Sequence, residues 1–194
     1  MPGMPPKASR RFAKAFAAAA FATGLGLTAS TAQAEVTTMQ TQANILTPLS
    51  MVKTADMDFG IVVSPSAAGS VVLTPTTTAT CTTTGGLIRS GTCRAATFMG
   101  FGATNQIVRI RFNGSTVTLA NGLGQTMTVT NRTADGTPAL NYLSGNVNSN
   151  GNVRYRIVSS SGIFDYRVGG TLNVAANQAR GTYSGTFNVS LEYD

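Results

Sequence analysis

The chain contains no histidine and no tryptophan, and only 11% of its 194 residues are charged. Without histidine, neither a Ser–His nor a Cys–His nucleophile pair can form. Two cysteines alone do not make a structural zinc site, which takes four ligands. Asp56 and Asp165 are a conceivable acid–base pair, but solvated turn positions explain such residues better. We therefore expect neither an enzyme nor a protein that binds a metal or a cofactor.

The first 34 residues have the three parts of a secretory signal peptide. Four basic side chains lie within the first 14 residues, an alanine-rich apolar stretch follows, and the segment ends with the small-x-small sequence AQA at 32–34. The apolar stretch is short for a membrane span, so an uncleaved anchor is the weaker alternative. We expect a secreted mature chain, residues 35–194, that crosses the periplasm to the cell surface and has no membrane span of its own.

Loss of the leader changes the charge balance of the protein. The whole chain has a net charge of +7, which falls to +3 when the four basic residues of the leader are removed. The remaining arginines are scattered along the chain, whereas a nucleic-acid surface carries a dense basic stripe interleaved with aromatic residues. We therefore expect no nucleic-acid partner.

Cys81 and Cys93 both lie in the expected mature chain. Because the leader directs the chain to an oxidising compartment, a disulfide between these two residues is the default expectation. The segment that separates them is rich in glycine and is typical of a turn.

Apolar residues alternate with polar ones throughout residues 35–194, and the helical period of 3.6 is absent. In the segment 107–112, Val108, Ile110 and Phe112 share one face, and two arginines lie on the other face. About eight or nine such short segments follow one another, which is the pattern of a sandwich. We predict an all-β fold: one immunoglobulin-like antiparallel β-sandwich.

The last fourteen residues, GTYSGTFNVSLEYD, form the clearest amphipathic strand of the chain. One parity is apolar and aromatic, and the other parity is polar. Either an earlier strand pairs with the far edge of this strand, or that edge is left open and a strand from a partner completes the sheet. The residues expected to form this partner-binding strand are Gly181, Tyr183, Phe187, Val189, Leu191 and Tyr193.

This ending resembles the C-terminal motif of the pilus subunits of the chaperone–usher pathway. That motif has a glycine fourteen residues from the end, alternating apolar residues and a penultimate aromatic residue, and here Gly181 and Tyr193 stand at those two positions. Residues 43–73 and 166–194, together with the leader, are also similar to a family of secreted, pilin-like bacterial proteins of unassigned function. That family is similar in turn to the spore-coat-U and archaic-pilus subunits.

The resemblance implies an incomplete immunoglobulin-like sandwich that a donor strand completes. A periplasmic chaperone would lend a strand beside the C-terminal strand, and basic residues of the chaperone would hold the terminal carboxylate at Asp194. After delivery to an usher, the N-terminal extension of a neighbouring subunit would replace the chaperone. The implied product is a homopolymer or a fibre with other pilus subunits.

Residues 35–44 are the candidate donor extension. If the apolar sequence ANILTPLSMV at 43–52 is already the first core strand, about eight residues remain free, and they span roughly 26 Å. That length is short for a donor strand. The side chains that alternate on one parity, as those of a donor strand would, are Met39, Thr41, Ala43 and Ile45.

Two functions therefore fit the sequence. The first is a pilus or fimbrial subunit that assembles by strand complementation. The second is a self-complete secreted sandwich that acts as an adhesin or a glycan-binding module. In the second, a ligand would bind at the loop-like region 131–152, where Tyr142 can stack on a sugar. The two differ in whether the last strand is paired on both edges within its own chain.

Overall fold

The computed structural model describes most of the chain beyond the expected leader. Of residues 1–43 it describes only residues 40, 42 and 43, which are exposed and belong to no strand. The leader and two residues of the candidate donor strand, Met39 and Thr41, lie outside the described residues. A compact unit runs from Asn44 to Asp194. The described residues are 40, 42–63, 66–148 and 151–194.

The described residues form thirteen strands and no helix, and all of their pairings are antiparallel. No helix long and apolar enough to cross a membrane occurs among them. The predicted all-β antiparallel sandwich is confirmed, and its arrangement is consistent with an immunoglobulin-like one. The strands are β1 (Ser50–Ala55), β2 (Ile61–Val62), β3 (Gly69–Thr74), β4 (Thr80–Thr84), β5 (Arg89–Ser90), β6 (Ala96–Phe101), β7 (Ile107–Phe112), β8 (Val117–Ala120), β9 (Thr126–Asp135), β10 (Leu140–Asn146), β11 (Asn152–Ile157), β12 (Ile163–Val174) and β13 (Val189–Tyr193).

The larger sheet is organised around β12, which is 12 residues long. One edge of β12 pairs first with β6 and then with β3, and the other edge pairs with β9. The outer strands β1, β4 and β8 pair with β6, β3 and β9, respectively. From Phe164 to Val174, β12 turns one parity of side chains into the core.

The smaller sheet has the strand order β10–β11–β7–β13. In β7, Val108, Ile110 and Phe112 are buried, whereas Arg109 and Arg111 alternate with them on the outer face, as the sequence pattern predicts. The buried side chains of β7 and β11 pack against those of β6 and β12. This shared core joins the two sheets into a sandwich.

The first strand begins later than the sequence pattern predicts. β1 starts at Ser50, and residues 44–49 belong to no strand. Pro48 supplies a physical reason, because proline has no N–H to donate to a sheet. Ile45 is 98% exposed, and Leu49 is the first described residue that packs against the core.

The region 131–152, which we expected to be the longest loop, consists largely of strand. It contains the end of β9 and the whole of β10. β10 lies at an edge of the smaller sheet, and every residue of this strand after Leu140 is exposed. A strand with no buried face has no reason to alternate apolar and polar residues, so a search for period two does not detect it.

The expected disulfide is present and joins Cys81 of β4 to Cys93. Its loss is expected to destabilise the subunit by about 3 kcal/mol, because it closes a loop that would otherwise be free in the unfolded chain. Urea unfolding of the wild type and of the Cys81→Ser/Cys93→Ser variant measures this difference. Wild type unfolded with reductant is the control and should match the variant, and equal midpoints with and without the disulfide would contradict the prediction.

Candidate functional site: an open groove beside the last strand

The last strand, β13, has one paired edge and one free edge. It pairs with β7 over Val189–Tyr193, and no other strand of the described residues pairs with it. The N–H and C=O groups along the other edge can therefore accept a strand from another chain. The sequence allows a last strand that is paired on both edges or one that has an open edge. Within the described residues, the edge is open.

The strand expected at the C-terminus is shorter than its sequence pattern. Only Val189, Leu191 and Tyr193 of the expected partner-binding residues lie within β13. Gly181, Tyr183 and Phe187 precede it, in a segment that one isolated bridge, between Ala120 and Ser184, attaches to β8. The expected alternation nevertheless persists, because the aromatic and aliphatic residues from Tyr183 to Tyr193 are half-buried and the polar residues between them are exposed.

A cavity of about 770 Å³ opens beside this segment, on the core-facing side of the larger sheet. Its volume lies within the range of known ligand-binding clefts. The segments 56–62 and 178–187 both line it. We refer to this cavity as the groove. Apolar side chains of β8, β9 and β12 also line it, namely Val117, Leu119, Met127, Val129, Leu172 and Val174.

A bulge in β9 turns one charged side chain, Arg132, toward the interior. The register between β9 and β12 shifts between Gly169 and Thr171, and Asn131 adopts a left-handed φ of 45°. Between the pairs formed by Gly169 and Thr171, β9 has one residue more than β12. Without that extra residue, the alternation of β9 would bury Asn131 and not Arg132. Arg132 is 1% exposed, and it lines the groove.

The guanidinium group of Arg132 is only partly satisfied by the protein. Its Nη2 donates to the carbonyl oxygen of Gly114, and the group lies 5.1 Å from the centre of the Phe112 ring. Nε and Nη1 are buried and have no hydrogen-bond partner among the described residues. Burial lowers the pKa of Arg132. Sequence reasoning missed this residue because the region around it was expected to be a solvated loop.

Tyr193, the penultimate residue, ties β13 to two other parts of the chain. Its hydroxyl oxygen accepts a hydrogen bond from the N–H of Ala103, and the hydroxyl group donates to the carbonyl oxygen of Thr47, both at 2.7 Å. Thr47 lies just before β1, so the hydroxyl group joins the last strand to the chain that leads into the first.

Replacement of Tyr193 by phenylalanine is expected to reduce the free energy of unfolding by about 1–2 kcal/mol, because both hydrogen bonds are lost and two main-chain groups lose their partner. Urea unfolding measures the change. Tyr183→Phe is a matched control, since the Tyr183 hydroxyl bonds only within its own segment, to Gln178 and Ala179. An effect of Tyr193→Phe no larger than that of the control would contradict this role.

The side chain of Asp194 is held by arginines of its own chain. Its carboxylate forms ion pairs with Arg109 of β7 and Arg154 of β11, and it is 8% exposed. The neighbouring Glu192 pairs with Arg111 at 2.5 Å and with Arg109 at 3.3 Å. The outer face of the smaller sheet therefore fixes the end of β13, and the second edge of the strand stays unpaired among the described residues.

The remaining residues that the sequence singled out lie apart from the groove or have partners of their own. Asp56 pairs with Lys53 at 2.6 Å, and Asp165 lies 3.7 Å from Arg167. Among the described residues, no three acidic, histidine or cysteine side chains cluster closely enough to hold a metal ion. Tyr142 of β10 is 56% exposed, and its hydroxyl donates to the carbonyl of Gly145 at 2.7 Å.

Comparison with known proteins assigns the folded part of the chain to a family. Residues 49–193 match the family model described as Domain of unknown function (DUF4402). No curated protein matches the chain, and no solved structure matches it. The matched residues run from just before β1 to the end of β13 and cover well over half of the sequence. The chain belongs to the DUF4402 family.

Proposed function

We propose that this protein is a secreted structural subunit of a pilus or fimbria that assembles by β-strand complementation. The observation that carries the proposal is the free edge of β13, a strand that directly follows a segment lining an open, partly polar groove. A strand inserted there gains main-chain hydrogen bonds along the edge and buries its side chains in the groove. The self-complete adhesin, in contrast, needs a last strand that is paired on both edges.

The half-buried face of the C-terminal segment supports this proposal. Phe187, Val189 and Leu191 pack against the core but none of them is fully buried. An apolar face beside an unpaired edge exposes a subunit to aggregation. A periplasmic chaperone that lends a strand would cover both features in transit, and an usher would then exchange that strand for one from the next subunit.

The chain before β1 supplies a donor segment of sufficient length. The anchoring contact of Tyr193 falls on Thr47, and the described residues before it, 40 and 42–46, belong to no strand. With cleavage after residue 34, a donor segment 35–46 would precede this contact. Twelve residues in an extended strand span about 40 Å, compared with roughly 26 Å for eight residues. Ile45 and Leu46 are 98% and 42% exposed in their own subunit, which leaves these side chains free to bind elsewhere.

The proposal is tested on surface material sheared from cells that make the protein. The sample is run in SDS with and without boiling, and the subunit is detected with an antibody. Strand-exchanged polymers are expected to give a ladder of multimers that collapses to one band on boiling. A single folded monomer band without boiling would contradict the proposal and would direct attention to the exposed surface around Tyr142.

A further inference from the structure

Arg132 is a buried charge in a groove that offers it no counterion. No carboxylate among the described residues forms an ion pair with it. Two acidic residues line the groove, but Asp56 pairs with Lys53 at 2.6 Å, and Asp58 accepts the N–H of Gly60 at 2.8 Å. An unpaired buried charge destabilises the subunit that carries it, so a group supplied from outside is the natural partner for this one.

The inward position of Arg132 depends on a bulge in β9. The β9 bulge, with Asn131 in a left-handed conformation, is what turns this arginine inward. Bulges of this kind re-aim side chains, and they are frequent beside functional sites. A second arginine, Arg180, also lines the groove but is exposed, so solvent already stabilises its charge. Buried Arg132 therefore favours a negatively charged group over an uncharged one far more strongly than exposed Arg180 does.

We infer that Arg132 is a carboxylate-binding site within the groove, and that the carboxylate it binds is the side chain of Glu35 from a second copy of this chain. This inference rests on the proposed strand complementation. Glu35 is the one acidic residue in the donor segment 35–46. It also shares its parity with Met39 and Ile45, so a strand that turns those apolar side chains into the groove turns Glu35 into it as well.

The guanidinium group is free to make this contact. A single side-chain hydrogen bond, from Nη2 to Gly114, fixes it within the described residues, and Nε and Nη1 give up no hydrogen bond when they turn toward the groove. Nη2 gives one of its two protons to Gly114, so a carboxylate can accept from the other one together with either Nη1 or Nε. The inward parity of the donor also contains polar residues, Thr37 and Thr41, so the segment is better suited to a partly polar groove than to a wholly apolar one.

The test measures how fast SDS-resistant multimers of the full protein dissociate at a fixed temperature. Glu35→Gln and Arg132→Met are each expected to speed dissociation by at least about tenfold, the value of a hydrogen bond to a charged group. The double variant should dissociate no faster than either single variant, since both remove the same contact. Arg180→Gln is the matched control and should change the rate by less than about threefold, as an exposed ion pair would.

Folding controls separate this role from a structural one. N-terminal sequencing shows whether Glu35→Gln is cleaved like the wild type, and the melting temperature of the Arg132→Met monomer should stay equal or rise because a buried unpaired charge is removed. Wild-type multimers whose dissociation is unchanged by Glu35→Gln would overturn this inference and leave the proposed function standing. If the effects of Glu35→Gln and Arg132→Met on the dissociation rate add in the double variant, the inference is likewise overturned and the proposed function still stands. Absence of multimers from the wild type would overturn both.

Discussion

Replacement of Phe187 by aspartate is expected to abolish multimers at the cell surface. Phe187 packs against the core that joins the two sheets and against a second cluster of buried side chains from β3, β8, β9 and β12. Its ring stacks on that of Phe112 with centroids 6.4 Å apart. It also lines the groove, so an inserted strand would bury the new carboxylate against apolar side chains. Burial of an unpaired charge costs several kcal/mol, which opposes insertion of the strand.

The experiment compares Phe187→Asp with Thr186→Asp. Thr186 also borders the groove, but it is exposed and on the opposite parity, so its new charge stays in contact with solvent. Unboiled samples should show the ladder for Thr186→Asp and none for Phe187→Asp. Because Phe187 also contributes to the core, its loss should lower the free energy of unfolding by about 2 kcal/mol. Normal surface multimers from Phe187→Asp would contradict the role of the groove in assembly.

The architecture of the sandwich could be predicted from the sequence because its cause is local. A pleated strand with one buried face must alternate apolar and polar residues, and β7 follows that rule at every position from Val108 to Phe112. The same reasoning identified the half-buried parity of the C-terminal segment. The disulfide was predictable for a different reason, since the leader predicts an oxidising compartment and two cysteines leave one possible pairing.

The charged site in the groove could not be predicted, because it depends on pairing between distant strands. The adjacent glycines Gly169 and Gly170 are typical of a bulge or a bend in a strand, but which strand lies opposite them is a property of the fold. That strand is β9, and the register shift occurs there. The shift reverses the parity of β9 after Asn131, so a reading of the sequence alone assigns Arg132 to the solvent. The length of β13 depends in the same way on β7, the strand with which it pairs.

Replacement of Ile45 by aspartate is expected to abolish multimers without a change in subunit stability. Ile45 is 98% exposed and lies outside every strand, so the substitution should alter the free energy of unfolding by no more than about 0.5 kcal/mol. In the proposed fibre, the same side chain enters the groove of a neighbour. Glu35 of the same strand is the proposed partner of Arg132, so a second carboxylate, at position 45, would be buried unpaired, which is costly. Gln42→Asp is the matched control, because Gln42 is exposed and lies on the opposite parity of the donor.

A mixture of the two defective proteins separates the donor from the groove. Phe187→Asp keeps a normal donor segment and loses the groove, whereas Ile45→Asp keeps the groove and loses the donor. Cells that make both should therefore produce a dimer band in unboiled samples and no longer ladder, because each protein can take part in one joint only. A full ladder from Ile45→Asp alone would mean that another segment fills the groove. If the dimer is absent although both proteins are folded, the two segments do not bind each other, and the proposed joint is wrong.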